Sequence, residues 1–399
     1  MSELERLIQA HCPNGVKYYS LGELENLGKI KLGRGNVISK QDMQECPGDY
    51  PVYSSAATNN GMIGRYGKYM FDDERLSWSI DGGGRFFYRN GEKYSITNVG
   101  GWLKVLDDNI LTRYLYHTLS AEWSKKVFDY THKAHPSVIR EEYIIPVPPI
   151  EVQREIVRIL DNFTELTAEL TAELTARKKQ YEYYRDNVLT FCEGSVKWCE
   201  LSEVIISLNT GLNPRQFFKL NTDDATNYYV TIREIRGGRI VPSDKTDRMN
   251  DEALKLCNNR SNLEVGDVLF SGTGTIGETA VIKETPYNWN IKEGVYTIKP
   301  NQEYILPDFL RYLLTATYIK TAYMKKVAGG TVKSIPMGEM KKLKIPVPPI
   351  EEQKRIVSIL DRFDALCNDI SAGLPAEIEA RQKQYEYYRD KLLTFKELS

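Results

Sequence analysis

The chain carries one sentence written twice. Residues 145–163 read IPVPPIEVQREIVRILDNF and residues 345–363 read IPVPPIEEQKRIVSILDRF, 200 positions apart. A second pair, ARKKQYEYYRDNVLTF from Ala176 and ARQKQYEYYRDKLLTF from Ala380, is 204 positions apart. A period this long means two copies of one large unit rather than a short solenoid repeat. The copies agree where each reads as helix and disagree almost everywhere else. A shared frame therefore carries two different heads.

Four segments follow. Residues 1–144 form a first head of short strand-like runs (YPVYSS, GRFFYRNG, GGWLKVL) broken by Gly, Asn and Asp, with a helical stretch near 110–130. Residues 145–195 begin with IPVPP, which proline makes a stiff extended lead-in, and continue as a long helix from about Glu151 to Phe191. Residues 196–344 form a second head, and residues 345–399 repeat lead-in and helix. In the first helix apolar residues fall at Ile156, Leu160, Phe163, Leu166, Leu170, Leu174, Tyr181, Tyr184, Val188 and Phe191; the second repeats the pattern with one extra four-residue step. So narrow a stripe is a coiled-coil seam in search of a partner, and the other copy is the obvious one. Each helix would be roughly 60 Å long. Gly373 and Pro375 interrupt the second, predicting a kink or a break there. The fold class is α+β: two mixed α/β heads joined by two long helices in a pseudo-twofold tandem.

Composition bounds the function. No run of about 18 apolar residues occurs, so no membrane span is expected. The start, MSELERLIQAHC, does not read as a signal peptide. Six scattered cysteines without a CxxC pair point to a reduced cytoplasm and away from structural zinc. A formal net charge of −1 means that any nucleic acid is met through local basic patches or through partners that supply the field.

The duplicated IPVPPIExQ motif, the TAEL units at 167–170 and 171–174 and the repeated KKQYEYYRD or RQKQYEYYRD segments resemble the specificity subunits of type I restriction–modification systems, over essentially the whole chain. The resemblance implies prokaryotic, cytoplasmic target recognition domains that each read one half of a split DNA sequence. It implies antiparallel spacer helices that set the gap between half-sites and bind two modification subunits carrying the adenine methyltransferase chemistry. Restriction subunits would complete a nuclease. The chain itself would catalyse nothing and hold no cofactor or metal; S-adenosylmethionine would sit in the methyltransferase, ATP and magnesium in the restriction subunit. A four-residue helical insert adds about 6 Å of rise and leaves about 40° of rotation beyond a full turn. That is close to the roughly 35° of one base-pair step, so the TAEL units have the dimensions of a ruler on DNA. A plain spacer helix is the alternative.

Gly272-Thr273-Gly274-Thr275-Ile276-Gly277 matches GxGxxG but is followed by β-branched residues and Pro286, the pattern of a hairpin or loop rather than a dinucleotide site. No P-loop, methyltransferase N/D-P-P-F/Y motif or HExxH is present. For DNA backbone contact the candidates are a quieter repeat: Lys125, Lys126, Thr131 and Lys133 in the first head match Lys325, Lys326, Thr331 and Lys333 in the second. Solvated helix ends are the plain alternative. For base reading the candidates lie where the heads differ: Ser54, Ser55, Thr58, Asn59, Asn60 and Arg85 in the first; Arg233, Arg236, Arg239, Ser271, Thr273 and Thr275 in the second. Tyr183, Arg185, Tyr387 and Arg389 point off the seam and are candidates for partner binding, with packing against the heads as the alternative. Two rival functions remain: a self-sufficient methyltransferase or dehydrogenase built on the GTGTIG loop, and a coiled-coil scaffold whose heads bind proteins.

Overall fold

A computed structural model of the chain describes residues 2–55, 59–81, 85–129, 131–192, 194–330, 332–368 and 373–398. It divides into two compact units, Met1–Glu169 with Ala380–Ser399, and Leu170–Glu379. Each head therefore owns the first half of its own long helix and the end of the other copy's.

Unit 1 is built on a four-stranded antiparallel sheet in the order Ile30–Arg34, Gly100–Val105, Arg75–Ser79, Phe87–Arg89. Beside it Tyr50–Tyr53 pairs antiparallel with Met62–Tyr66 and parallel with Ser95–Ile96. A two-stranded clasp joins Tyr18–Ser20 to Ile144–Pro146. Unit 2 repeats this with unrelated side chains. Its four-stranded sheet runs Ile205–Thr210, Val295–Pro300, Val268–Ser271, Thr279–Val281. Asn227–Val230 pairs antiparallel with Arg248–Met249 and parallel with Trp289–Ile291, and the clasp joins Lys197–Glu200 to Lys344–Val347. The IPVPP lead-in is the second strand of each clasp; a proline is tolerated there because a two-stranded sheet leaves half its donors unused.

The first long helix is continuous from Ile150 to Leu189, within two residues of the span its periodicity predicts. The second copy is two helices, Ile350–Asn368 and Leu374–Leu392. Pro375 falls in the first turn of the latter, where its missing N–H has no helical partner to lose. The core of unit 1 gathers Trp78, Leu103, Tyr114, Ile145, Val152, Ile156 and Leu160 around Leu393, with Tyr385 and Phe395 packed on it. That of unit 2 gathers Phe270, Ile298, Phe309, Ile345, Ile356 and Leu360 around Tyr181 and Leu189.

Within each unit the helix pair is antiparallel. In unit 1 the Phe163 and Tyr388 rings stack at 5.5 Å, while Phe395, further along, exchanges hydrogen bonds with Tyr18 near the start of the first helix. In unit 2 Tyr184 stacks on Phe363 at 5.5 Å. The seam is buried at Ile156, Leu160, Ile356 and Leu360, but Leu166 and Leu366 remain exposed. No helix among the described residues is long and apolar enough to cross a membrane.

One repeated side chain sets each head on its helix. Gln153 is fully buried; its Oε1 accepts from the Leu111 N–H at 2.9 Å and its Nε2 donates to the carbonyls of Asn109 and Pro148 at 2.9 and 2.7 Å. Gln353 does the same with Leu306, Tyr304 and Pro348, each at 2.8 Å. The amide ties lead-in, helix and the approach to the head's own helix (Thr112–Trp123 or Pro307–Thr315) into one knot.

Candidate nucleic-acid interface

In unit 1 four chain segments meet at one end of the sheets. The Thr97 N–H donates to the Tyr53 carbonyl, the Ile80 N–H to Val99, and the Ala134 N–H to Ile80. Thr97 Oγ1 also donates to Ser54 Oγ at 2.7 Å. These bonds place the loop after Tyr53, the loop after Ser79 and the T-x-K-x-x-P segment side by side. Ser54, Asn59, Asn60 and Lys133 thus belong to one neighbourhood, with Ser55 half-buried beside them. Arg85 is exposed at the far end of the second loop, and its neighbour Phe86 packs on Trp123, which ends the helix leading to Lys125 and Lys126.

Unit 2 builds the same end from different residues. The Lys292 N–H donates to the Val230 carbonyl, Gly272 to Gly294, Ile335 to Gly272, and Gly274 to Lys333. The T-x-K-x-x-P segment again lies against the loop that follows the sheet's third strand. That loop is the GTGTIG sequence, and it connects two antiparallel strands, Val268–Ser271 and Thr279–Val281. A hairpin offers no helix N-terminus to a pyrophosphate, which removes the dinucleotide reading. Thr275 is exposed at its tip and Thr273 half-buried. Ser271 is buried, its hydroxyl donating to the Thr275 carbonyl and accepting from the Glu278 N–H, so its chemistry is spent on shaping the loop.

The three arginines of the second head part company. Arg233 follows the strand that ends at Val230 and is held exposed by Asp247 at 2.9 Å. Arg236 and Arg239 pair across a small hairpin turned by Gly237 and Gly238, both at positive φ. That hairpin lies along Thr279–Val281, with the Val281 N–H bonded to the Gly238 carbonyl. A Cβ on Gly238 would stand 2.1 Å from Arg311. Its tip therefore adjoins the helix Pro307–Thr315 and a cleft of about 720 Å³ that also includes Asp361 and Asp364, away from Thr273 and Thr275.

The lysines that the sequence offers as candidates for backbone contact differ in their commitments. Lys125 pairs with Glu122 at 2.7 Å, Lys133 with Asp81 at 2.8 Å, Lys326 with Glu339 at 3.3 Å, and Lys126 reaches Glu142 at 4.0 Å. Lys325 and Lys333 are exposed and make no ion pair with a described residue. Surface pairs of this kind are worth about 0–1 kcal/mol, so exchanging them for a phosphate is cheap. Thr131 donates its hydroxyl to Asp129 at 2.6 Å; that bond, with two backbone N–H donors, pulls the Asp129 carboxyl down to about 2. Thr58 and Thr331 lie outside the described residues.

Of the partner-binding candidates, Tyr183 and Tyr387 are each 64% exposed. Arg185 is buried in unit 2, bonded to Asp186 and 5.7 Å above the Tyr181 ring; Arg389 folds in the same way onto Asp390 and Tyr385. Both arginines are turned toward their own unit, and the tyrosines alone present free surface.

Four further residues carry the geometry although the sequence pattern assigns none of them a role: Gln153 with Gln353, the buried Arg89, and His117. His117 lies fully buried with Nε2 2.7 Å from Asp161 and Nδ1 3.4 Å from the Tyr385 hydroxyl. Burial pushes its pKa below the ordinary value despite the carboxylate. No group of His, Cys, Asp and Glu among the described residues is arranged to hold a metal.

A family model described as the type I restriction modification DNA specificity domain matches residues 13–177 and again residues 198–380. The specificity subunit of the type I restriction enzyme EcoR124I/EcoR124II of Escherichia coli is 36% identical over 300 residues, covering 72% of each chain. A putative specificity subunit of Haemophilus influenzae is 32% identical over 412 residues, covering 98% of each. Among solved structures, one described in terms of the complex assembly and conformational transition of the type I restriction–modification system aligns with a TM-score of 0.56 at 15% identity, covering 96% of this chain and 98% of that one. The S subunit from M. genitalium aligns with a TM-score of 0.51 at 14% identity, covering 95% of each.

Proposed function

The chain belongs to the type I restriction–modification specificity family, and from that premise we propose that its two heads read the two unlike halves of a split DNA target. The chain is a specificity subunit and non-catalytic. What supports the reading is one observation: the two heads share topology, clasp and glutamine knot, yet place different loops at the same end of the sheets. A scaffold that repeats while its loop chemistry changes suits two readers of different sequence. Lys125, Lys126, Lys133, Lys325, Lys326 and Lys333 meet phosphates; Ser54, Ser55, Asn59, Asn60 and Arg85, and in the second head Arg233, Thr273 and Thr275, face base edges. Two modification subunits dock through the exposed Tyr183 and Tyr387, and restriction subunits join that complex. S-adenosylmethionine belongs to the former, ATP and magnesium to the latter. The complex works in the prokaryotic cytoplasm.

The test is genome-wide adenine methylation in cells carrying a matching methyltransferase subunit, with and without this chain. A split, asymmetric motif that appears only with the chain is expected. A motif that is unchanged by removing the chain would refute the reading.

A further inference from the structure

Asn59, Asn60 and Gly61 all adopt positive φ, at 49°, 56° and 81°. Asparagine visits this region more readily than other non-glycine residues, but as single residues; two in succession are sterically disfavoured. Something must hold them there. The Ser54 N–H donates to the Gly61 carbonyl at 2.9 Å, and Arg89 Nη2 donates to the Asn60 carbonyl at 2.7 Å. Arg89 is 3% exposed, anchored by Ser77 Oγ at 3.0 Å and by the Tyr53 ring, 3.4 Å from its guanidinium. A buried cation is thus committed to fixing the backbone of one surface residue. The Asn60 side chain is the opposite: exposed, and without a hydrogen bond to any described residue.

We propose that Asn60 is a base-reading residue of the first head, taking adenine through its carboxamide, and that Arg89 is the positioning residue that holds it in place. The inference rests on unit 1 being a DNA-recognition head. A carboxamide matches adenine in the major groove: Oδ1 accepts from the exocyclic N6 amine while Nδ2 donates to N7. Such a bidentate pair works only if the side chain is presented at a fixed angle, which the Arg89 bond provides.

The plainer account is that asparagine merely tolerates the left-handed turn. Asn60→Gly separates the two, because glycine adopts this conformation at less cost. The experiment maps methylation in cells carrying the full chain and its methyltransferase partner, with thermal unfolding of the purified complex alongside. In Asn60→Gly, preference for one adenine of the first half-site should fall by roughly 5- to 150-fold. The second half-site and the gap should not change, and unfolding should be unaltered or raised. Asn60→Asp, which can only accept, should shift that position toward cytosine. Arg89→Met, or Arg89→Lys should the former not fold, should relax the same position; a purely structural arginine would lower the unfolding temperature and leave the motif alone. An intact first half-site in Asn60→Gly overturns the proposal, as does loss at a base other than adenine. Absence of any split motif with the unaltered chain instead sinks the DNA reading of the head itself, and this proposal with it.

Discussion

Asp161 in unit 1 accepts from His117 at 2.7 Å, whereas Asp361 in unit 2 accepts from the Tyr312 hydroxyl at 2.6 Å. Both donors project from the head's own helix, and an arginine of that helix joins each contact: Arg113 on Asp161, Arg311 on Asp364. About two turns back along the same helices the two units are identical, with Gln153 and Gln353 making the same three bonds. The difference shows what the frame demands. Where a side chain must meet a donor and two carbonyls at once, only a carboxamide fits. Where a carboxylate needs a single donor, histidine and tyrosine serve equally, and the choice is left to each head.

Removing a knot should have the largest effect. Gln153→Leu would leave the Leu111 N–H and the Asn109 and Pro148 carbonyls without the partner that the buried amide supplies. At about 1–3 kcal/mol for each unsatisfied group, unit 1 should lose on the order of 3 kcal/mol or more in chemical denaturation. Gln353→Leu should cost unit 2 as much. If one costs under about 1 kcal/mol while the other is severe, the two interfaces are not equivalent and the comparison breaks.

The glutamine shows where sequence reading ran out. Its repeat was plain in IPVPPIExQ, but two of its three partners lie more than 40 residues away, in stretches where the copies diverge. The long helix was legible because a sustained apolar period needs no knowledge of what covers it, and Ile150–Leu189 matches the expected span. The exposure of Leu166 and Leu366 was not, since a stripe marks a face without saying how far along it the cover extends. His117 and Tyr312 are 195 positions apart, off the 200-residue register, so aligning the copies does not pair them. Arg236 and Arg239 are base-reading candidates by type; the glycine turn between them sets their hairpin beside Val281 and the Arg311 helix. Residue type announced the chemistry, and turn geometry decided its address.

The His117–Tyr312 exchange makes the units respond differently to acid. His117 is held neutral, with the Nε2 proton given to Asp161 and Nδ1 accepting from Tyr385. Its folded pKa is depressed, chiefly by burial. The unfolded chain therefore binds the extra proton first. This contribution to stability is complete above the unfolded value near 6.5 and is lost as pH falls below it toward the folded pKa, at up to about 1.4 kcal/mol per pH unit. Hydrogen exchange between pH 7.5 and 5.5 should show unit 1 opening more readily while unit 2 changes little. His117→Tyr, which copies unit 2, should flatten the difference. An equal response from both units in the unaltered chain would show that other groups set the acid sensitivity.

The smallest effect on stability should come from the segment joining the units. Thr171–Leu174 lies in the uninterrupted helix, three of its four side chains exposed, just past the boundary between Glu169 and Leu170. Deleting it removes no core residue: the Phe163–Tyr388 and Tyr184–Phe363 stacks fall on either side, each inside its own unit. Helix geometry is what changes, by about 6 Å of rise and about 40° of residual rotation. The second copy is already two helices, one ending at Asn368 and the next beginning at Leu374. Each unit should keep its unfolding free energy within about 0.5 kcal/mol, as surface changes usually do. Both half-sites should also persist in the methylation motif, while the gap between them shortens. A gap that stays the same would show that the helix is a connector and that spacing is measured elsewhere. Lost half-sites would show that the heads depend on the helix for more than their separation.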